Sequence, residues 1–556
     1  MDEGRARVTP TPPGLFRRRA SRRALLVGSA SLAAAGATAA VVGISVKSGS
    51  NGRSAAPGDA KDGPGEGSIL PKNGDDLSKK PITDPMKRAA HLLRRAGFGG
   101  SLTEIEAFAK LSRDEAADRL LNYATVDNSA LDARIAKAGF VLKLEDEAQQ
   151  RGRVIQDMQR WWLTRMAYTA RPLEERMTLI WHGLLTSQIS KIGPLRARFL
   201  LVQNETLRAN ALGKYDDLVQ AMSKDPAMLV YLDTVESTKD HPNENYAREL
   251  CELFTMGEGN YTEQDVRESA RAFTGWRMTD PPRPTPQQLE GLTEQQRRDL
   301  IQKLIAQFDP AYRFNARLHD TGQKTFLGQT GNWNGDDIVR IIMEQKATGR
   351  YITTRLWKEF AYDDPDPKII DRLVKTWDSS GHSIKEVVRA ILVSDEFYSE
   401  RAYFGKMRSP IGLVVGLIRG LELENGFEAA RGAGGPGGNL ASYYVAMDQV
   451  LFEPPNVAGW TGGPAWLSSS TFFARVNFID QLLFQRGGRP VAIASLAGVQ
   501  SADDVVSQVA NRLIDGVLPA NGKSAVVAHV GAIRDAAERA ATAVYLIAGS
   551  PEFQAV

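Results

Sequence analysis

From residue 89 to the end of the chain, apolar side chains recur three and four residues apart in segment after segment. No other feature constrains the fold as much, because this spacing lines one face of a helix and drives that face against a neighbour. It runs through 89–96, 102–111, 113–123, 145–169, 172–184, 194–211 and 215–224. It resumes at 337–347, 351–361, 384–393, 410–423 and 470–484, with two last helices near 503–515 and 525–547. Strand-like alternation is rare. Tyr312, Phe314, Ala316 and Leu318 alternate with polar neighbours, and His319-Asp320-Thr321-Gly322 then leads into 324–327. A hairpin turning at Asp320-Thr321-Gly322 accounts for that stretch. The expectation is a mainly α protein: a multi-helix globular body with one short β-hairpin, preceded by a signal segment and a disordered linker. The run 426–439, which contains RGAGGPGGN, reads as a mobile glycine-rich loop.

Charge separates the N-terminus from the body. The net charge is +3, but the first 23 residues hold seven arginines against Asp2 and Glu3. They contribute +5, which leaves −2 for the rest. So neutral a body lacks the basic surface a phosphate backbone requires, which argues against nucleic acid as a partner. Ser21-Arg22-Arg23-Ala24-Leu25-Leu26 precedes an uncharged run at 24–46 that is rich in Ala, Gly and Ser. This resembles a twin-arginine export signal, with Ala37-Thr38-Ala39 as a cleavage site. Uncut, the same run is long enough to anchor the chain in a bilayer, its one route to a membrane. The domains expected are thus a signal or anchor at 1–46, a flexible linker at 47–85, and a helical body at 86–556 exported across the cytoplasmic membrane. The lone Cys251 allows no intramolecular disulfide.

The stretch HPNENYARELCELFTMGEGNYTEQDV, from His241, gathers eight charged or histidine side chains around apolar ones. Asn243 is placed to cap a helix beginning at Glu244, and Gly257 to end it. On that helix Tyr246, Ala247, Leu250, Cys251, Leu253 and Phe254 share one face, while Glu244, Asn245, Arg248, Glu249 and Glu252 share the other. Glu244, Arg248 and Glu252 have the four-residue spacing of a salt-bridge ladder. Thr262 and Asp265 have that of a capping box for a second helix, striped by Val266, Ala270 and Phe273. Three glutamates against one arginine leave surplus negative charge. Asn245 and Glu249 border the apolar face, where a buried carboxylate needs a partner.

None of the six histidines forms an HxH or HExxH pair, so no zinc signature is present. His319-Asp320 at the expected turn is the most site-like pair; the alternative is that Asp320 only initiates the turn. Gly322-Gln323-Lys324-Thr325 lacks a glycine directly before the lysine and leads into a strand, so it is no phosphate loop. His182, beside Trp181, reads more readily as a core residue than as a ligand. No GxSxG elbow appears, and Cys251 faces the apolar side of its helix. The sequence names neither a cofactor nor a metal.

The motifs together resemble a bacterial exported family, the domain of unknown function 1800. The likeness runs from His91-Leu92-Leu93-Arg94-Arg95-Ala96-Gly97-Phe98-Gly99 to Ser550-Pro551-Glu552-Phe553-Gln554. Between them lie Trp181-His182, the stretch from Asn243, Ala270-Arg271-Ala272-Phe273-Thr274-Gly275-Trp276, His319 to Thr325, and Pro454-Pro455-Asn456-Val457-Ala458-Gly459-Trp460. The resemblance implies a signal-bearing, mostly helical protein of unassigned activity, with a co-encoded, exported sulfatase-like protein as its partner. Two departures stand out. Relatives commonly carry a histidine where this chain has Leu184, which weakens a metal role for His182. They also carry His-Pro where this chain has Gln345-Lys346.

Two functions follow from these residues. One is an extracytoplasmic enzyme, hydrolytic, or a cofactor-binding protein. Its site would bring His319, Asp320, Lys324, Glu249 and Glu244 together as catalytic groups, with Asn243, Asn245, Arg248, Trp276, Trp460 and His182 binding substrate. The other is a non-enzymatic binding or assembly protein of the cell surface, in which these motifs are internal scaffolding.

Overall fold

Asp84 opens the first long helix, α1 (Pro85–Ala96). Its carboxylate accepts from Met86 N at 2.8 Å and Lys87 N at 3.3 Å, and Pro85 fixes φ in the first turn. The computed structural model describes residues 77–142, 151–280, 282–424, 426–427, 444–485 and 489–556. The same local logic recurs along it, with capping boxes at Ser101/Glu104, Ser112/Glu115, Thr262/Asp265 and Asn334/Asp337. The chain is mainly α, as the periodicity predicts. The helices that position the site are α1, α2 (Pro172–Leu184), α3 (Asn245–Glu249), α4 (Glu263–Ala272) and α5 (Lys346–Phe360).

One continuous apolar cluster spans Ala89 to Phe553 and contains the fully buried Trp162, Trp181, Trp276, Trp357 and Trp377. Cys251 is buried and unpaired, so the core holds without a disulfide. Among the described residues no helix is long and apolar enough to cross a membrane. The segments expected as a signal (1–46) and, for the most part, as a linker (47–85) lie outside the described residues, as does most of the glycine-rich run. Packing begins before residue 86: Ile82 is buried, and its N–H donates to Tyr398 O at 2.8 Å.

The expected hairpin does not form. β1 (Trp276–Met278) pairs antiparallel with β2 (Tyr312–Phe314), and β3 (Lys324–Phe326) pairs with β4 (Gln329–Gly331). Residues 312–314 and 324–326 thus belong to different sheets, and Ala316–Leu318 is a turn of 3₁₀ helix. The true turn is Leu327-Gly328, both at positive φ (47° and 79°), the two-residue geometry that matches strand twist. A third small sheet pairs Phe484–Gln485 with Arg489–Pro490. The expected last helix divides into Ala520–Gly531 and Ala536–Ala548 because Asp535 caps a new start, accepting from Glu538 N at 2.8 Å. Helices at Ser129–Ala138, Glu294–Gln307 and Pro367–Ser379 were not expected.

Candidate functional site

The charges expected to form a site divide into two groups, and each is internally satisfied. α3 starts at Asn245, one residue later than its sequence suggests, because the Asn243 carboxamide accepts from Asn245 N at 2.9 Å. Leu250–Thr255 then widens into a π-helix. That widening removes Glu252 from the turn above Arg248. Of the expected ladder the Glu244–Arg248 rung forms, at 3.1 Å, while the Glu252 rung is replaced by Glu263 of α4, which Arg248 grips with both Nη atoms at 2.7 and 2.8 Å. Glu252 accepts instead from the Tyr261 hydroxyl at 2.7 Å. Asn245 donates to Asp233 at 3.0 Å, which also pairs with Lys191. Glu249 is half-buried; burial, then the neighbouring Glu252, raises its carboxyl above the usual range. No hydrogen bond or ion pair engages its side chain among the described residues.

The second group is a clamp between α4 and β3. Arg271 holds Asp320 through Nε at 2.7 Å and Nη2 at 3.2 Å, and Glu268 through Nη1 at 2.7 Å. Burial alone would raise the Asp320 carboxyl, but the bonds from Arg271 and Gly322 N keep it below its ordinary value. Lys324 is buried, and its ammonium donates to the carbonyls of Asp320 (2.5 Å) and Gly322 (2.9 Å). His319 Nδ1 donates to Thr274 O at 2.9 Å, which sets the tautomer, and its ring meets Phe314. Among the described residues no side-chain bond joins His319, Asp320 or Lys324 to Asn243, Glu244, Asn245, Arg248 or Glu249. Trp276 is no open aromatic wall: it is buried edge-on between Phe273 and Tyr312.

Trp460 leads to a different place. Gly459, at φ +81°, lies so close to α2 that an added Cβ would sit 2.0 Å from Gly183 O. Only this paired-glycine contact lets the loop rest on the helix, and it sets the Trp460 ring over Gly183 beside His182. Burial pushes the His182 imidazole down to about 3, so it is neutral, and Trp162, Phe452 and Trp460 surround it. Trp460 and Trp466 form one side of a cavity of about 560 Å³. Much of the remaining lining comes from the end of α1, one face of α2, one face of α5, and the segment Lys406-Met407-Arg408, joined by Gln449 and Val556.

Seven cations line this cavity, Arg94, Arg95, Arg176, Arg355, Lys358, Lys406 and Arg408, against two acidic side chains, Glu359 and Asp363, and the carboxylate of Val556. Several are deeply buried. Arg95 is 2% exposed; it donates to Phe360 O at 2.8 Å and Val556 O at 3.3 Å, and its Nη2 has no partner. Arg94 pairs with Asp515 at 2.5 Å and stacks over Phe404, yet its Nε and Nη2 are unpartnered. Arg176 reaches Glu359 only at 3.5 Å and leaves Nε unpartnered. The Trp460 indole N–H, also buried, has no acceptor. Burial, then Arg176 and Arg94, pulls Arg95 below its ordinary value; burial, then Arg94, does the same to Arg408. Glu175, one residue before Arg176, shows the opposite condition: buried, it accepts from Arg165, Arg208 and the Trp162 indole.

The sequence carried a signal for this cavity. Arg95 falls in the same arc of α1 as His91, Leu92 and Ala96, all buried, so a cation on a buried stripe was visible. Among the described residues no group of three or more His, Cys, Asp or Glu is placed to hold a metal ion. The model of a family described as "Protein of unknown function (DUF1800)" matches residues 91–555. No curated protein and no solved structure matches the chain.

Proposed function

The chain belongs to this family of unknown function, and from the cavity that its motifs enclose we propose that it is an exported protein that binds an anionic ligand at Arg94, Arg95 and Arg176. The carrying observation is the charge imbalance of the lining, seven cations against few acids, and four of its residues, Arg94, Arg95, Arg176 and Trp460, also hold buried donors without acceptors just behind the cavity surface. Buried donors without acceptors are costly, and buried like charges more so. Water can satisfy a donor but does not neutralise a charge. A guanidinium keeps its proton throughout the ordinary pH range, so it cannot shed the repulsion by titrating. An anion supplies both the acceptors and the charge, and guanidinium forks suit carboxylate, phosphate or sulfate.

Of the two functions open at the level of sequence, binding has the better support. His319, Asp320, Lys324, Glu244 and Arg248 are engaged in tying loops and helices together, as scaffolding would be. The test is thermal unfolding of the full chain in phosphate or sulfate against chloride at equal ionic strength. An oxyanion that binds the folded form raises the melting temperature by a few degrees at concentrations well above its Kd and saturates at low millimolar levels, where the general stabilisation by these salts is still negligible. Identical melting in all three salts counts against the proposal.

A further inference from the structure

The cavity says more about the ligand than its sign. Pockets of about 300–1,000 Å³ hold molecules of drug size. At about 560 Å³ this one lies within that range, so an inorganic anion at the arginines would leave most of it unfilled. Its cations also lie at two depths. Arg94, Arg95 and Arg176 are deep, with orphaned donors, whereas Arg355 is exposed and Lys358 half-buried. Among the described residues no carboxylate pairs with either rim cation, so both are available to a ligand. Trp460 and Trp466 line the same cavity, and only Thr, Gly, Gly, Pro and Ala separate them. An indole that lines a cavity offers a flat apolar surface for a ring.

Resting on the anion-binding reading, we infer that the ligand carries two separate anionic groups on a sugar-sized organic skeleton. One anionic group meets Arg94, Arg95 and Arg176, the ring lies along Trp460 and Trp466, and the second group meets Arg355 and Lys358. The groups are phosphates or carboxylates, since both fit guanidinium and ammonium partners.

The test is calorimetric titration of the full chain, at fixed ionic strength, with glucose, inorganic phosphate, glucose 6-phosphate and glucose 1,6-bisphosphate. Galacturonate and digalacturonate form the carboxylate arm. The same titrations are run on the double variant R355Q/K358Q, checked for folding by its circular dichroism melt. One ligand with two anionic groups, bisphosphate or digalacturonate, is expected to bind about tenfold tighter than its one-group counterpart, and the better of the two identifies the group. The rim variant should weaken that two-group ligand about five- to tenfold and change its one-group counterpart by less than about twofold. Equal binding of two-group and one-group ligands, or a rim variant that weakens both alike, overturns the inference and leaves the anion site standing. Glucose binding as well as its phosphates also overturns it. Failure of every anion to bind overturns both.

Discussion

Arg271 and Arg248 each hold two carboxylates, and burial decides what each contributes. Arg271 pins Glu268 and Asp320, whose side chains are 13% and 17% exposed. The variant R271A leaves Glu268 without its ion-pair partner and Asp320 with only Gly322 N and the more distant Lys324, and urea titration should show a loss of about 2 kcal/mol. Glu244 and Glu263, held by Arg248, are much more open. R248A should leave stability essentially unchanged, since exposed ion pairs contribute little. Equal losses in the two variants would contradict this ranking. His182 makes a prediction in pH. Its imidazole is pushed down to about 3 in the fold from an ordinary 6.5, so below 6.5 the unfolded chain binds the proton more readily. Stability is therefore intact above about 6.5 and falls as pH drops toward about 3. H182F should flatten that acid limb, and an unchanged limb would show that His182 is not its source.

At the scale of elements, the Gly459–Gly183 contact joins a loop to α2. G459A adds a Cβ at positive φ that would meet backbone 2.0 Å away, so the loop must move. A loss of about 2 kcal/mol or more, together with weakened anion binding, is expected although no charge has changed. Full binding in a folded G459A would show that the position of Trp460 does not matter. Helices were legible at this scale because their periodicity repeats locally and their caps lie three residues apart, as at Thr262/Asp265. The strands were not. β2 is three residues long, and its partner lies more than thirty residues earlier, so alternation through Leu318 suggested a strand that ends at Phe314. The turn of the real hairpin is Leu327-Gly328, which lacks the Asn-Gly or Asp-Gly that announces such turns. The π-helical turn after α3 has no local signature either, and it redirected Arg248 from Glu252 to Glu263.

For the whole molecule, periodicity gave the fold class and the resemblance the family, but the cavity lay beyond both. The cavity's cations come from residues 94 to 408, with no spacing that joins them. A body of net charge −2 concealed the cluster, because its acids lie elsewhere. Conversely, the densest local charge, from His241 onward, is largely spent on caps and clamps. The proposal of an anion site rests on this contrast between charges that satisfy each other and a cation cluster that is left short of partners. The most direct test of that claim is calorimetric titration of phosphate into the full chain and into R95Q, with the melting of both proteins recorded in the absence of oxyanion. The wild type should bind saturably. R95Q should bind at least about tenfold more weakly, yet melt no lower than the wild type, since it loses a repelling buried charge and Gln still reaches backbone carbonyls. Phosphate binding unchanged by R95Q, or a collapse of stability in R95Q without phosphate, would show that Arg95 belongs to the scaffold and not to a binding site.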